Sequence, residues 1–368
     1  MLKTGVHRIS MASPADVSGL KRLIDDGTVD PTTIVASIGK TEGNGGANDF
    51  TRALATLSAA GLLSGYLAIT PDEVTKRIAF VWSGGCEGVL SPHMTVFTRE
   101  EVPAQVAAQR DGGGLAVSVQ QTRSFLPEEV GRLAEVHEVA AAVRRAVTEL
   151  AVQPAAVHYV QVKGPLLTPA GISDAERRGA EVVSTDPNRS KAYARGATAL
   201  GVALGLGEVD GAQVTEGAIA TDMQLYSEVA STSAGGELTN CEVLVFANSP
   251  LYAGDLRIGH GVLRDATDID GVRGALHSAG LEVGSGTDGQ GDRIRAVFAK
   301  AEAPVGGLLH GQRTTMLSDA DIHWERHARA AVGAVLTAVT GDPRIFVSGG
   351  TEHQHPPGQA PIAVIVDA

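Results

Sequence analysis

Ile345-Phe346-Val347-Ser348-Gly349-Gly350 is a short apolar stretch that ends in a serine and two glycines. Two earlier stretches end in a similar way, at 79–85 (AFVWSGG) and at 229–235 (VASTSAG). Each serine is followed four residues later by a glutamate; these are Glu87, Glu237 and Glu352. Three β-rich runs that each end in a small-residue turn followed by an acid predict an internally repeated fold.

A lysine ends an earlier β-rich run in each of the three segments. The runs are TIVASIGK at 33–40, VHYVQVK at 157–163 and RIRAVFAK at 293–300, and each follows a stretch with helical apolar spacing. An arginine in a helix-like stretch lies between the lysine and the serine each time, at Arg52, Arg195 and Arg313. The order lysine, arginine, serine therefore recurs three times, and a polar insertion at 168–190 lengthens the middle copy.

This recurrence predicts three similar units, at 1–104, 112–250 and 255–368. Strands alternating with helices predict an α/β (α+β) fold, in which the units stand in a pseudo-threefold arrangement with helices outside a central β-barrel-like core. The chain has 368 residues, of which 45 are glycine and only 4% are aromatic. We therefore expect tightly packed small aliphatic residues rather than large aromatic anchors in the core.

The overall charge and the cysteine content limit the class of protein. The formal net charge is −12, which argues against nucleic acid or an anionic membrane as the main partner. No apolar stretch has the roughly 18–20 residues needed to span a bilayer, and the N-terminus lacks an apolar signal core. Cys86 and Cys241 are the two cysteines, so a disulfide framework is not expected. We expect a cytoplasmic globular protein.

The recurring polar residues lie where strands end, which is a common position for chemistry in sheets flanked by helices. A pseudo-threefold arrangement would direct three lysines, three arginines and three serine turns toward one axis. Such a site gathers positive charge and hydrogen-bond donors. Its natural ligand is small, anionic or carbonyl-rich, and itself roughly threefold.

Seven segments together resemble the ring-opening amidohydrolases, the family of cyanuric acid hydrolases and barbiturases. They are 39–45 (GKTEGNG), 83–93 (SGGCEGVLSPH), 160–168 (VQVKGPLLT), 195–197 (RGA), 298–303 (FAKAEA), 316–322 (MLSDADI) and 347–354 (VSGGTEHQ). The resemblance covers essentially the whole chain. It implies hydrolysis of a small cyclic imide at one site shared by three units, and assembly as a homotetramer.

The resemblance also implies roles for individual residues. Lys163 is expected to activate the hydroxyl of Ser233, the catalytic nucleophile, and no catalytic cofactor is expected. The substrate-binding set is expected to be Arg52, Ser83, Gly84, Arg195, Ser233, Ala234, Arg313, Ser348, Gly349, Lys40 and Lys300. The residues by themselves do not decide which of the three serines attacks.

A structural Mg²⁺ or Ca²⁺ ion is a further implication of the resemblance, because the family holds a hard cation with a glutamate and loop carbonyls. The expected ligand positions here are Glu302, Thr351, Gln354, His355, Pro356 and Gln359. His355 and Gln359 stand where glycines are common in the family, and their Cβ atoms disfavour the loop conformation. The stretch 310–315 (HGQRTT) also departs from the family pattern beside the third predicted arginine.

Several functions remain open on these residues. Cyanuric acid is the preferred substrate; barbituric acid is the alternative, and a non-catalytic small-anion-binding protein is an alternative from another class. A P-loop is not expected, because Ile34 occupies the position of the glycine that must precede Gly39-Lys40-Thr41. His323 and His327 have the spacing of a zinc pair on the predicted helix Ser318–Thr340, but lack the associated glutamate and a third ligand.

Overall fold

The computed structural model describes residues 1–103, 113–282 and 291–368. The first part of the chain forms a sheet flanked by helices. Its strands are β1 (Leu2–Ser10), β2 (Ile34–Thr41), β3 (Ala79–Gly84) and β4 (His93–Glu101), and its helices are α1 (Ser18–Asp25), α2 (Thr51–Leu67) and α3 (Pro71–Arg77).

The middle part repeats this alternation with longer helices. Its strands are β5 (Gly114–Gln121), β6 (Val157–Pro165), β7 (Ala230–Gly235), β8 (Glu242–Ser249) and the two-residue β9 (Tyr252–Ala253), and its helices are α4 (Leu133–Leu150), α5 (Pro169–Arg177) and α6 (Pro187–Leu206). The predicted end of the first unit at 104 and the predicted start of the second unit at 112 lie outside the described residues.

The last part contains a third sheet and a short hairpin. Its strands are β10 (Leu256–Leu263), β11 (Ile294–Ala301), the hairpin β12 (Leu308–Leu309) and β13 (Gln312–Arg313), β14 (Phe346–Gly349) and β15 (Ala360–Asp367), and its helices are α7 (Ile269–Ser278) and α8 (Trp324–Thr340). The mixed α/β class predicted from the sequence is confirmed.

The three main sheets share one strand order. The orders are β1-β4-β2-β3, β5-β8-β6-β7 and β10-β15-β11-β14, and β9 extends the first sheet beside β1. In each sheet the second and third strands in chain order are parallel, and the fourth is antiparallel to both its neighbours. A parallel pair needs a crossover connection, and helices supply it in each case.

The sheets share a core as well as an order. Ala36, Ile38, Tyr159, Ala296 and Phe298, from three different sheets, belong to one buried cluster. Each sheet also packs its other face against its own helices in a separate cluster. The inner faces of the three sheets therefore meet in a single interior.

Five aromatic rings fill this shared interior: Phe97, Tyr159, Phe246, Phe298 and Phe346. Ring centroids of Phe97 and Phe246 lie 5.1 Å apart, and those of Tyr159 and Phe298 also lie 5.1 Å apart. The expectation of a core without aromatic anchors was therefore wrong for the centre, where the few aromatic residues are concentrated because three sheet faces leave a wide space to fill.

The linker between the middle and last parts lies beside both ends of the chain. In β9, Tyr252 pairs in parallel with Leu2 of β1. Three residues later, the Asp255 carbonyl accepts a hydrogen bond from the N–H of Ala368 at 2.9 Å. One short segment thus ties together the beginning, the middle and the end of the polypeptide.

The length and hydropathy of the helices in the described residues limit the possible membrane spans. No single helix there is long and apolar enough to cross a bilayer; α2 and α3 together meet that test of length and composition, but are bent by 98° relative to each other.

Candidate active site

Because side chains alternate between the two faces of a strand, the three lysines lie on the face that packs in the shared core. Ala36 and Ile38 of β2 face that core, so Lys40, two residues further, projects from the same face at the end of the strand. Lys163 and Lys300 occupy the same place on β6 and β11. In the parallel strand pairs the lysines lie opposite serines: Lys40 opposite Ser83, Lys163 opposite Ser233 and Lys300 opposite Ser348.

Each lysine also reaches across to another sheet. Lys40 Nζ donates a hydrogen bond to the carbonyl of Val347 at 2.6 Å, Lys163 Nζ to that of Trp82 at 3.1 Å, and Lys300 Nζ to that of Thr232 at 2.7 Å. In every case the accepting carbonyl belongs to the residue just before a predicted site serine. The three lysines therefore form a closed ring of contacts that joins the three sheets at the predicted site.

A second ring is formed by arginines and the glutamates that follow the serines. Arg52 Nε donates to Glu237 at 2.9 Å, and Arg195 holds Glu352 through Nε at 2.8 Å and an amino group at 2.7 Å. Arg329 Nε donates to Glu87 at 2.9 Å, and its amino group forms a second bond to the same carboxylate. Each pair joins two different sheets with their helices. Guanidinium–carboxylate pairs of this kind have strong orientation preferences and so fix the geometry around the site.

The structure places a different arginine in this ring from Arg313, the third arginine predicted from the sequence. Arg313 is exposed on the β12–β13 hairpin, whereas Arg329 on α8 is 4% exposed and occupies the position equivalent to Arg52 and Arg195. A usable signal was present, because Ala328-Arg329-Ala330-Ala331 resembles Ala194-Arg195-Gly196-Ala197 and both lie within helices. The spacing of 13 residues from Lys300 to Arg313 is close to the 12 residues from Lys40 to Arg52, and so points to Arg313 instead.

Helix ends place these arginines. Asp186 caps α6 by accepting hydrogen bonds from the N–H groups of Asn188 and Arg189, and Pro187 occupies the first helical position. The predicted helix Ser318–Thr340 begins six residues late, at Trp324, because Asp319 accepts the N–H groups of Asp321 and Ile322 and holds a turn there.

The lysines are buried cations with limited compensation. Lys40, Lys163 and Lys300 are at most 2% exposed. Burial, reinforced by Arg329, lowers the pKa of Lys40 to about 8. Burial, with Arg52, lowers the pKa of Lys163 to about 8 even though Glu237 lies 3.3 Å away. Burial, with Arg195, also lowers the pKa of Lys300 well below its usual value. Neutral amine, the form that can accept a proton, is therefore accessible near neutral pH.

The serine hydroxyls differ among the three positions. Ser83 Oγ lies 3.3 Å from Lys40 Nζ, within hydrogen-bond distance. Ser233 Oγ and Ser348 Oγ are buried and have no hydrogen-bond partner among the described residues. The bond from Lys163 to Ser233 expected from the family resemblance is therefore not formed here, because Lys163 is held by the Trp82 carbonyl and Glu237.

Small residues after the serines let other groups approach the backbone. A Cβ atom on Gly84 would lie 1.7 Å from an Asp49 carboxylate oxygen, and one on Gly349 would lie 2.9 Å from an Arg329 nitrogen. At the third position Ala234 carries a Cβ and remains half-buried. Glycine is thus required at the first site turn by the close approach of Asp49.

Glu242 is a buried acid near the site that the sequence reasoning missed. It lies opposite Lys163 on β8, accepts the Phe80 N–H at 3.1 Å, and burial raises its pKa to about 8. The signal was a single charged residue at the start of an otherwise apolar strand. The equivalent position beside Lys40 is His93, so these two lysines have different neighbours.

Glu302, the carboxylate of the predicted cation site, contacts the loop that follows β14. Glu302 accepts a hydrogen bond from Thr351 Oγ1 at 2.7 Å, and burial together with Glu352 raises its pKa. A cation would offset this accumulation of negative charge, so Glu302 fits the role of a carboxylate ligand. His355 adopts φ +74°, which shows that its Cβ does not prevent the left-handed turn.

Two predicted ligand side chains are used elsewhere. The Gln354 side-chain oxygen accepts the Thr232 N–H, and His355 Nε2 donates to the Glu228 carbonyl, both at 2.8 Å. In the part of the chain that the structure describes, no three His, Cys, Asp or Glu side chains form a metal-binding group. The ion would therefore depend on Glu302 and on backbone carbonyls such as those of Thr351 and Pro356, which accept N–H groups of Gln354 and Gln359.

Comparison with known proteins agrees with this geometry. The family model described as "Amidohydrolase ring-opening protein" matches residues 5–367. A protein of Azorhizobium caulinodans named cyclic amide hydrolase is 62% identical, with both chains covered completely. A cyanuric acid amidohydrolase of Enterobacter cloacae is 48% identical over 99% of each chain, and barbiturase 1 of a Nocardioides species is 42% identical over 98% of each.

A solved structure of a cyanuric acid hydrolase superimposes with a TM-score of 0.95 at 47% identity, covering 100% of both chains. The agreement therefore extends over sequence, length and three-dimensional fold. The chain belongs to the ring-opening amidohydrolase family.

Proposed function

We propose that this protein is a cyanuric acid amidohydrolase that opens the ring of cyanuric acid by hydrolysis. The observation that carries the proposal is the closed ring of hydrogen bonds in which each lysine binds the carbonyl of the residue before a site serine. A planar ring with three equivalent carbonyl groups matches three lysine–serine pairs arranged in the same way. The names of the relatives and of the solved structure support the same substrate.

In the proposed reaction, Ser233 Oγ attacks one ring carbonyl carbon while its proton passes to the neutral Nζ of Lys163. The tetrahedral intermediate then collapses, the ring C–N bond breaks, and Lys163 returns the proton to the departing nitrogen. Water hydrolyses the resulting acyl-enzyme to carboxybiuret, which loses CO2 to give biuret. Both steps need a Lys163 that is neutral at their start, and burial favours that form.

The choice of Ser233 among the three serines follows from the family resemblance, and two features of the site are compatible with it. The buried Ser233 hydroxyl lacks a hydrogen-bond partner, an arrangement that costs on the order of 1–3 kcal/mol and that a bound substrate relieves. The strand register pairs Lys163 with Ser233, and in the proposed reaction Nζ turns from the Trp82 carbonyl toward Oγ. Ser83 and Ser348, with the neighbouring backbone N–H groups, would hold the other carbonyls.

Mass spectrometry of substrate incubated with wild-type protein and three variants tests the mechanism. We expect biuret from the wild type, and roughly a 10³-fold or greater loss of kcat in Ser233→Ala and Lys163→Ala. Ser37→Ala is the control, because Ser37 also has a buried, unpartnered hydroxyl but lies on β2 at a position of opposite orientation to Lys40. Wild-type turnover in Ser233→Ala would rule out this nucleophile, and a ligand returned unchanged by the wild type would indicate a binding protein.

Barbituric acid is the second candidate substrate, because a barbiturase is among the relatives that match over nearly the full length. Its ring replaces one nitrogen by carbon and so breaks the threefold symmetry that the site repeats. We expect a higher kcat/KM for cyanuric acid. Steady-state kinetics on both rings in the same buffer decides between them, and a preference for barbituric acid would reassign the substrate.

A structural divalent cation, a homotetrameric assembly and a cytoplasmic location are further parts of the proposal. Elemental analysis of dialysed protein should find about one Mg²⁺ or Ca²⁺ per chain, and Glu302→Gln should remove it. Light scattering coupled to size-exclusion chromatography should give four chains per particle. Fractionation of cells that produce the protein checks its location.

A further inference from the structure

A cavity of about 780 Å³ lies beside the site, between α6 and α8. Its lining includes Arg195, Arg329 and Glu352, which belong to the arginine–glutamate ring, and these residues are largely buried. The lining also includes Asp321 and Arg326, which are exposed. The cavity therefore runs from the surface to the arginine–glutamate ring that surrounds the site, and it can serve as an entrance.

One helical turn before its buried arginine, α6 carries a lysine and α8 carries a glutamate. Lys191 precedes Arg195 by four residues, and Glu325 precedes Arg329 by four, so each pair lies on one helix face. All four residues line the cavity. The Lys191 side chain is 16% exposed, whereas that of Arg189, which lines the same cavity at its rim, is 84% exposed. Lys191 is thus a cation held within the entrance rather than on the open surface.

The ammonium of Lys191 is only loosely paired. Its Nζ lies 3.7 Å from Glu325 Oε2, which is beyond hydrogen-bond distance. Glu325 is shared, because Arg195 lies 3.3 Å from its carboxylate and Arg329 lies 4.0 Å from it. One carboxylate therefore faces three cations, and the N–H groups of Lys191 retain the capacity to bind an anion.

We propose that Lys191 is a substrate-binding residue of the entrance, where its ammonium pairs with the negative charge of an ionised cyclic imide on the way to the three lysines. The inference rests on the proposed function. An imide N–H between two carbonyls is acidic, so the substrate readily becomes an anion. A chain of net charge −12 repels anions at long range, and a cation inside the entrance offsets this repulsion locally.

Steady-state kinetics of Lys191→Met on cyanuric acid, at low and high ionic strength, tests the proposal. We expect kcat/KM to fall on the order of tenfold at low ionic strength with kcat within about twofold of wild type, because the lost interaction forms before the chemical step. The dependence of kcat/KM on salt should weaken, and Lys191→Arg should restore most of the loss.

Lys21→Met is the matched control. Lys21 also pairs with one acid, Asp25, within a helix, but it lies on α1 and does not line this cavity. The substitution removes the same charge and should leave both kinetic constants close to those of wild type. Equal effects of the two substitutions would show that only net charge matters and would overturn the proposal.

Two other outcomes are distinguishable. A parallel loss of kcat and thermal stability in Lys191→Met that Lys191→Arg does not restore would assign Lys191 a structural role and overturn the proposal. A wild type that turns over neither imide would contradict the proposed function instead. Calorimetric titration of wild type and Lys191→Met with cyanurate would then test Lys191 by itself: tenfold weaker binding supports it, and equal binding overturns it.

Discussion

At the residue scale, Arg329 and Arg313 offer a direct comparison. Arg329 is buried against Glu87, and its removal leaves that carboxylate without its partner; Arg313 is exposed. We expect Arg329→Ala to lower kcat/KM on cyanuric acid by roughly 10²-fold and to cost about 3–5 kcal/mol of unfolding free energy. Kinetics and urea denaturation measure the two effects.

Arg313→Ala serves as the control for that substitution. A surface arginine away from the site should change the unfolding free energy by no more than about 0.5 kcal/mol and leave kcat/KM nearly unchanged. A large loss of activity in Arg313→Ala with little loss in Arg329→Ala would restore the assignment made from sequence alone.

The pKa of Lys163 predicts a pH dependence. Burial lowers that pKa to about 8, so the neutral amine increases as pH rises through 8, and below this pH the protonated amine cannot accept the Ser233 proton. We expect kcat to rise about tenfold per pH unit on the acid side and to level off above pH 8. Initial rates at saturating substrate from pH 5.5 to 9.5 measure this, and a kcat independent of pH below 8 would exclude Lys163 as the base.

Individual side chains were predictable to different degrees. The lysines and serines could be identified because each ends a β-rich run, where position and chemistry coincide in the sequence. The partners of Glu87, Glu237 and Glu352 could not, since each pairs with an arginine from a different part of the chain. Such pairings depend on how the sheets are placed, which local sequence does not specify.

At the element scale, Gly350 shows how a turn constrains the site. It follows β14 with φ +78°, and a Cβ there would lie 2.3 Å from the Arg195 guanidinium carbon. We expect Gly350→Ala to lower the unfolding free energy by more than 2 kcal/mol and to reduce activity, because backbone strain and steric overlap with Arg195 add together. Urea denaturation and steady-state kinetics give the two values.

Gly306→Ala measures the cost of backbone strain without steric overlap, and so serves as the control for Gly350→Ala. Gly306 has φ +65° and no atom within 4 Å of a built Cβ, so only the left-handed conformation is penalised. The expected cost is about 1 kcal/mol, with activity unchanged. Similar costs for the two glycines would show that contact with Arg195 contributes little.

Element boundaries were less predictable than element types. Helical spacing identified the helix that carries Arg329, yet its start was placed at Ser318 instead of Trp324. Asp319 accepts hydrogen bonds from the N–H groups of Asp321 and Ile322, and these bonds hold a turn where the sequence pattern predicts the first turn of the helix.

At the scale of the whole molecule, Phe298 connects stability and activity. It lies in the interior shared by the three sheets and precedes Lys300 by two residues on β11. We expect Phe298→Ala to cost about 3–5 kcal/mol and to lower kcat as well, because the cavity lies beneath the lysine ring. Phe125→Ala, in the outer cluster of the middle sheet, should destabilise the fold with little change in kcat. If the two substitutions change kcat equally, packing in the shared interior has no special influence on the site.

The repeated order of elements made the overall class and the gathering of lysines and serines predictable. The shared aromatic interior was not, because its rings come from strands far apart in sequence and only 4% of the residues are aromatic. Composition averages over the whole chain and hides such a concentration. The contacts that join one sheet to the next likewise have no local signature.

The short linker around β9 bears on circular permutation of the polypeptide. Because Leu2 pairs with Tyr252 and Ala368 bonds to Asp255, the two chain ends lie beside the same segment. A circular permutant that joins these ends through a few glycines and opens the chain elsewhere on the surface would keep every lysine and arginine contact of the site. The contacts that join the three sheets form a closed cycle, so we expect a permutant that keeps their cyclic order to keep the candidate site.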